Sequence, residues 1–89
     1  MIRTELLVDN KLGLHARAAA KVVSVASRYN ASIRIGTGKQ MIDAKSIMGL
    51  LTLGAAKGSH LQVEIEGDDA QQALEELQKL FADRFDEGE

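Results

Sequence analysis

His15 follows Gly13 and Leu14 at the head of an Ala-rich stretch, and Arg17 stands two residues further on. A histidine at a helix start sits at the positive end of the macrodipole among unpaired N–H groups. That setting disfavours imidazolium and keeps the ring a neutral nucleophile. Were a phosphoryl group attached to the ring, the same N–H groups would receive its oxygens and Arg17 would add a charge-assisted contact. The placement equally suits a surface histidine that only caps the helix, and spacing alone leaves both open. Gly13 fits a tight turn or a close approach of backbone to a partner.

A second hydroxyl-bearing position, Ser46, precedes the apolar residues Ile47, Met48, Leu50, Leu51 and Leu53, with Gly54 as a stop. This predicts a short helix capped by the serine, a cap that contributes about 1 kcal/mol. One side of such a helix must be buried, although Met is also common on surfaces that meet several partners. Other motifs fall away. Gly36-Thr37-Gly38-Lys39 lacks the four-residue spacer and following hydroxyl of a nucleotide loop, and Gly54 to Ser59 has Lys before Gly, the wrong order. His60 opens a strand and reads as an edge residue.

Composition narrows the classes further. The chain has 89 residues, no Cys and two His, so disulfides, thiolate chemistry and a His-dominated metal site are not expected, nor is any cofactor. One Tyr, two Phe and no Trp leave little with which to stack on bases, so nucleic acid is not an expected partner. No apolar run approaches the ~20 residues of a spanning helix, so membrane insertion is not expected. Nothing at the start reads as a targeting signal, and a reducing cytoplasm is the expected location. Charge is segregated: residues 1–60 carry nine basic and three acidic side chains, residues 61–89 two and ten. That pattern fits either a surface for an anionic partner or charges that intermingle on folding.

The elements that must position these residues follow from periodicity. Ile2, Leu6 and Val8 share one side of a strand with Arg3 and Glu5 opposite. Ala19, Val22, Val23 and Ala26 form the stripe of a helix from Ala16 to about Arg28. Ser32 to Ile35 and Lys39 to Ile42 make a hairpin, and Leu61 to Glu66 alternates as a further strand. Ala70, Ala73, Leu74, Leu77, Leu80 and Phe81 stripe a last helix, with Asp69 and Gln72 at capping-box spacing. The order βαββαβα predicts an α+β open-faced sandwich: a four-stranded antiparallel sheet covered on one face by three helices. Residues 1–89 are read as one domain, with 82–89 a frayed acidic tail.

Gly13-Leu14-His15-Ala16-Arg17-Ala18-Ala19, Ala44-Lys45-Ser46-Ile47-Met48-Gly49-Leu50 and Leu53-Gly54-Ala55-Ala56-Lys57-Gly58 closely resemble the HPr family, the histidine-containing phosphocarriers of the bacterial phosphotransferase system. The likeness runs from Ile2 to Phe81 and includes Glu66-Gly67-Asp68-Asp69. It implies that His15 accepts phosphate on Nδ1 from enzyme I, that Arg17 helps hold it, and that IIA-type domains take it onward. The chain would then be a carrier turned over by other proteins and not itself an enzyme. The resemblance also implies a docking face beside His15, formed by Ala16, Ala20, Lys21, Lys45, Ile47, Met48 and Leu51, in a monomer.

Two positions refine this reading. The family usually has proline at the place of Ala18, and alanine there restores a donor and removes a rigid φ, which bears on transfer rate and on which branch the chain serves. In many lineages Ser46 is phosphorylated by an HPr kinase/phosphorylase, and Ile47-Met48-Gly49 resembles the form found with that kinase. The alternative is a mainly regulatory binding module, a nitrogen-branch or kinase-controlled paralog with weak carrier activity.

Overall fold

Alternating side chains in the N-terminal and 60–66 segments can satisfy their backbones only by pairing, and they do so in one sheet. The structure, a computed structural model, describes residues 1–88. Its elements are β1 (Ile2–Leu7), α1 (Ala16–Ala26), β2 (Ser32–Gly36), β3 (Met41–Asp43), α2 (Ile47–Leu53), β4 (His60–Glu66) and α3 (Ala70–Ala82). The strands are antiparallel in the order β1-β4-β2-β3. Register aligns the apolar positions: Leu6 opposite Leu61, Ile33 opposite Ile65, and Ile35 opposite Val63. That row faces the helices and is buried, while the other face is open and carries the Arg3–Glu64 ion pair, 3.5 Å apart. The architecture is the open-faced α+β sandwich expected from the pattern.

The helices close over the sheet with small residues where they come near. α1 buries Ala18, Ala19, Val22, Val25 and Ala26, and α3 buries Ala70, Ala73, Leu74, Leu77 and Phe81. Val25 lies inward and Val23 is half-buried, and α1 ends at Ala26, short of Arg28. Asp69 is the N-cap residue of α3, its carbonyl accepting from Ala73 N–H at 3.0 Å, but its side chain makes no capping bond. Its carboxylate instead accepts from the Asn30 and Ala31 N–H groups at 2.8 and 2.9 Å, so it satisfies donors in the turn after α1. His60 does open β4, but that strand is internal; the imidazole is on the solvent face, 3.8 Å from Glu5.

The largest departure from expectation is the C-terminal segment, which is packed where a frayed tail was expected from residue 82. Arg84, Phe85 and Asp86 turn at φ of 54°, 55° and 64°. Left-handed backbone costs residues with a Cβ roughly 1–2 kcal/mol each, so contacts must hold the turn. Phe85 is fully buried, edge-on to Phe81 with ring centroids 4.9 Å apart. Burying an aromatic of that size contributes ~1.5–3 kcal/mol. Lys21 Nζ donates to the Phe85 carbonyl at 2.9 Å and to Asp86 at 3.2 Å, and Arg84 meets Asp9 at 3.3 Å. The segregated charges therefore intermingle, the acidic end folding back on the basic first half. Glu89, the last residue of the expected tail, lies outside the described residues.

Candidate functional site

The loop before α1 is built to present His15. Gly13 has φ +67°, and a Cβ there would lie 2.5 Å from the Ala55 carbonyl oxygen. Only glycine fits, because the turn is tight and the loop after α2 crosses close behind it. Leu14 N–H donates to that carbonyl at 2.8 Å, which ties the 13–15 loop to the 54–58 loop, and buried Leu14 anchors it.

His15 is the N-cap of α1. Its backbone is extended, its carbonyl accepts the first helical bond from Ala19 N–H at 2.8 Å, and its Nδ1 accepts from Arg17 N–H at 3.3 Å. An Nδ1 that accepts bears the lone pair, so the ring proton of the neutral form is on Nε2. Nε2 points the other way, to a Glu87 carboxylate oxygen. The second oxygen of Glu87 accepts from Asn10 Nδ2 at 2.9 Å, and the same amide nitrogen donates to the Gly13 carbonyl at 2.7 Å. Enclosure disfavours the Glu87 charge, yet the hydrogen bonds from Asn10 and His15 and the nearby charges of His15 and Arg17 outweigh it and hold the carboxyl below its usual range.

Arg17 is exposed and lines, with Lys11, Leu12, His15, Asp86 and Glu87, a polar cavity of about 390 Å³. His15 and Arg17 are thus brought together as the spacing suggested. Sequence reasoning missed Asn10, Glu87 and the exposed Leu12. Asn10 sits in a polar loop with no pattern to mark it. Phe85, four residues after Phe81 in an otherwise acidic run, was the one available signal that the segment carrying Glu87 would pack.

Ser46 caps α2 as expected, its Oγ accepting from Gly49 N–H at 3.1 Å, and Gly54 ends the helix at φ +55°. α2 buries Leu50 alone, leaving Ile47, Met48 and Leu51 exposed. Ala16 and Ala20 are exposed on α1, which packs beside α2. Two cations of the expected docking face are engaged within the chain: Lys21 with the C-terminal segment, and Lys45 Nζ with the Tyr29 carbonyl at 2.9 Å. Among the described residues no three His, Asp or Glu side chains converge as metal ligands would, and no helix is long and apolar enough to cross a membrane.

Comparison with known proteins matches this arrangement along almost its whole length. A family model described as the PTS HPr component phosphorylation site matches residues 2–83. The phosphocarrier protein HPr of Pseudomonas aeruginosa is 49% identical over 86 residues, covering 96% of each chain. HPr-C-His from Thermoanaerobacter tengcongensis superposes with a TM-score of 0.93 at 37% identity, covering 98% of each chain. A crystal structure of an HPr dimer from the same organism gives 0.76 at 36% identity, covering 96% of this chain and 98% of that one. With the sheet order, the capping histidine and these matches in agreement, the chain belongs to the HPr family of phosphocarrier proteins of the phosphotransferase system.

Proposed function

We propose that His15 Nδ1 is the phosphoryl acceptor, and that this chain takes the group from enzyme I and passes it to IIA-type domains. The observation that carries the reading is the orientation of the ring: Nδ1 accepts from a helix-start N–H while Nε2 is committed to Glu87. The nucleophilic lone pair therefore sits at the positive end of α1. Once a phosphoryl group is on Nδ1, the N–H groups of the first turn and the Arg17 guanidinium would receive its oxygens. Turnover needs other proteins, since His15 is regenerated only when an acceptor removes the group.

Docking is assigned to the exposed side chains Ala16, Ala20, Ile47, Met48 and Leu51 with Lys21 and Lys45 at the border, and to a monomer in the cytoplasm. Ser46 is the second modification site of this reading, with an HPr kinase/phosphorylase as the modifying partner. Its support is the place of the hydroxyl, at the head of the exposed apolar helix. Incubation with phosphoenolpyruvate and enzyme I, read by intact mass and peptide mapping, should add one acid-labile phosphate on His15. Labelling elsewhere, or acid-stable labelling, would defeat the proposal.

A further inference from the structure

The C-terminal segment makes contacts that an unused tail would not need. Its backbone adopts three consecutive left-handed residues, Phe85 is inserted in the core, and Lys21 bonds the Phe85 carbonyl. The result is to set one carboxylate, Glu87, against His15 Nε2 from the side opposite the nucleophilic nitrogen. That carboxylate is itself aimed by Asn10, a fully buried amide whose nitrogen bridges Glu87 and the Gly13 carbonyl. The Glu87 side chain is only 11% exposed and that of His15 26%, so water competes weakly for the contact.

We propose that Glu87 is the positioning residue of His15, with Asn10 as its support, and that it assists phosphoryl transfer by holding the Nε2 proton. This rests on the reading of His15 as the acceptor. In the forward step the Nδ1 lone pair forms a bond to phosphorus, and the bond from phosphorus to the donor atom breaks, its electron pair leaving with that atom. The ring keeps its Nε2 proton and takes up positive charge, which the Glu87 carboxylate balances. In the return step the N–P bond breaks, its pair goes back to Nδ1, and the ring is neutral again. The same contact removes ring rotation as a variable, since a flip would turn Nδ1 away from the helix start and leave Glu87 facing a carbon. Carboxylates that orient a working histidine through its second nitrogen are a recurring arrangement in catalytic and metal sites.

The test uses the full chain labelled with ¹⁵N in the imidazole, as the parent, Glu87→Gln and Glu87→Asp. In the parent, ring nitrogen shifts at neutral pH should report one tautomer, protonated on Nε2, with that proton shifted downfield by the carboxylate. Glu87→Gln should lose the downfield shift and slow phosphorylation by enzyme I about tenfold while remaining folded. Glu87→Asp, which keeps the charge, should recover part of both. An unchanged Nε2 signal in Glu87→Gln would overturn the positioning role, and an unchanged transfer rate would overturn the assistance to transfer. If the parent itself took no phosphate on His15, the acceptor reading and the assistance would fall together, while the ring signals would still decide whether Glu87 holds the proton.

Discussion

The starts of α1 and α2 carry the same device, a side-chain acceptor folded back on a first-turn N–H: His15 Nδ1 at 3.3 Å from Arg17 N–H, and Ser46 Oγ at 3.1 Å from Gly49 N–H. What lies behind each cap differs. His15 has a second polar atom, and the chain's far end is folded over to occupy it with Glu87. Ser46 has one oxygen and an exposed apolar helix beyond it. On the proposed reading, a cap with a backing carboxylate would keep one nitrogen in one orientation for repeated phosphoryl transfer, whereas a cap without one needs only to be reachable for modification.

The largest expected effect breaks the first cap outright. His15→Ala should abolish labelling by phosphoenolpyruvate and enzyme I, while the thermal midpoint stays within about 8 °C, since losing a cap costs ~1 kcal/mol. Persistent labelling of that variant would move the acceptor elsewhere. Next, Phe85→Ala should remove the anchor that makes the two caps unlike. Truncation of a buried Phe costs about 3–5 kcal/mol, less here to the extent that the left-handed turn relaxes when released. Denaturant unfolding measures it, and a loss under ~1 kcal/mol would show that the ring is not an anchor in solution.

Ser46→Asp joins the two regions. A negative charge at the head of α2 lies beside Ile47 and Met48, on the side an acidic partner would approach, and it should slow His15 phosphorylation by less than about tenfold at low salt. Its cap function survives, since Asp is as good an N-cap as Ser, so stability should be unchanged. Raising ionic strength should erase the rate difference by screening. Equal rates at low salt, or an inhibition indifferent to salt, would remove electrostatics as the link.

How much of this was legible in the chain depends on how local the cause is. The sheet, both caps and the turn glycines follow from contacts within a few residues or from alternation that must face a core. The strand order was not legible: alternation marks which face of β4 is buried but not which strands flank it, so His60 reads as an edge residue although β4 lies between β1 and β2. The backing carboxylate was not legible. Glu87 meets Asn10 and His15 across more than seventy residues of chain, and an acidic run at a terminus has the composition of a solvated tail. Asp69 was misread for the same reason, its spacing fitting a local cap while distant N–H groups claimed the carboxylate.

Acid separates the caps more gently. The Glu87 carboxyl is held below its ordinary value of 4.5, so its contribution to stability is complete above that value and lost as pH falls through the lowered one. Ser46 has nothing to titrate. Thermal midpoints of the parent and Glu87→Gln should therefore differ near neutral pH and converge once pH has fallen through the lowered value. A gap that persists at pH 2 would mean that packing, not charge, distinguishes them.

The smallest effect concerns the first turn of α1 alone. Ala18 is buried at its third position, before the first N–H that reaches a helical carbonyl, which is Ala19 to His15. Proline at Ala18 therefore removes no helical hydrogen bond and restricts the unfolded chain, which favours folding by ~0.4–1 kcal/mol wherever the ring fits. Ala18 is fully buried, so the ring carbons must be accommodated by its neighbours, and any overpacking subtracts from that gain. Ala18→Pro should raise the denaturant midpoint slightly and leave the phosphate on His15, while the same change at Ala19 should destabilise sharply by deleting the His15 carbonyl's donor. If both variants lost stability alike, the helix would have to begin earlier than Ala16, and the cap assigned to His15 would fall with it.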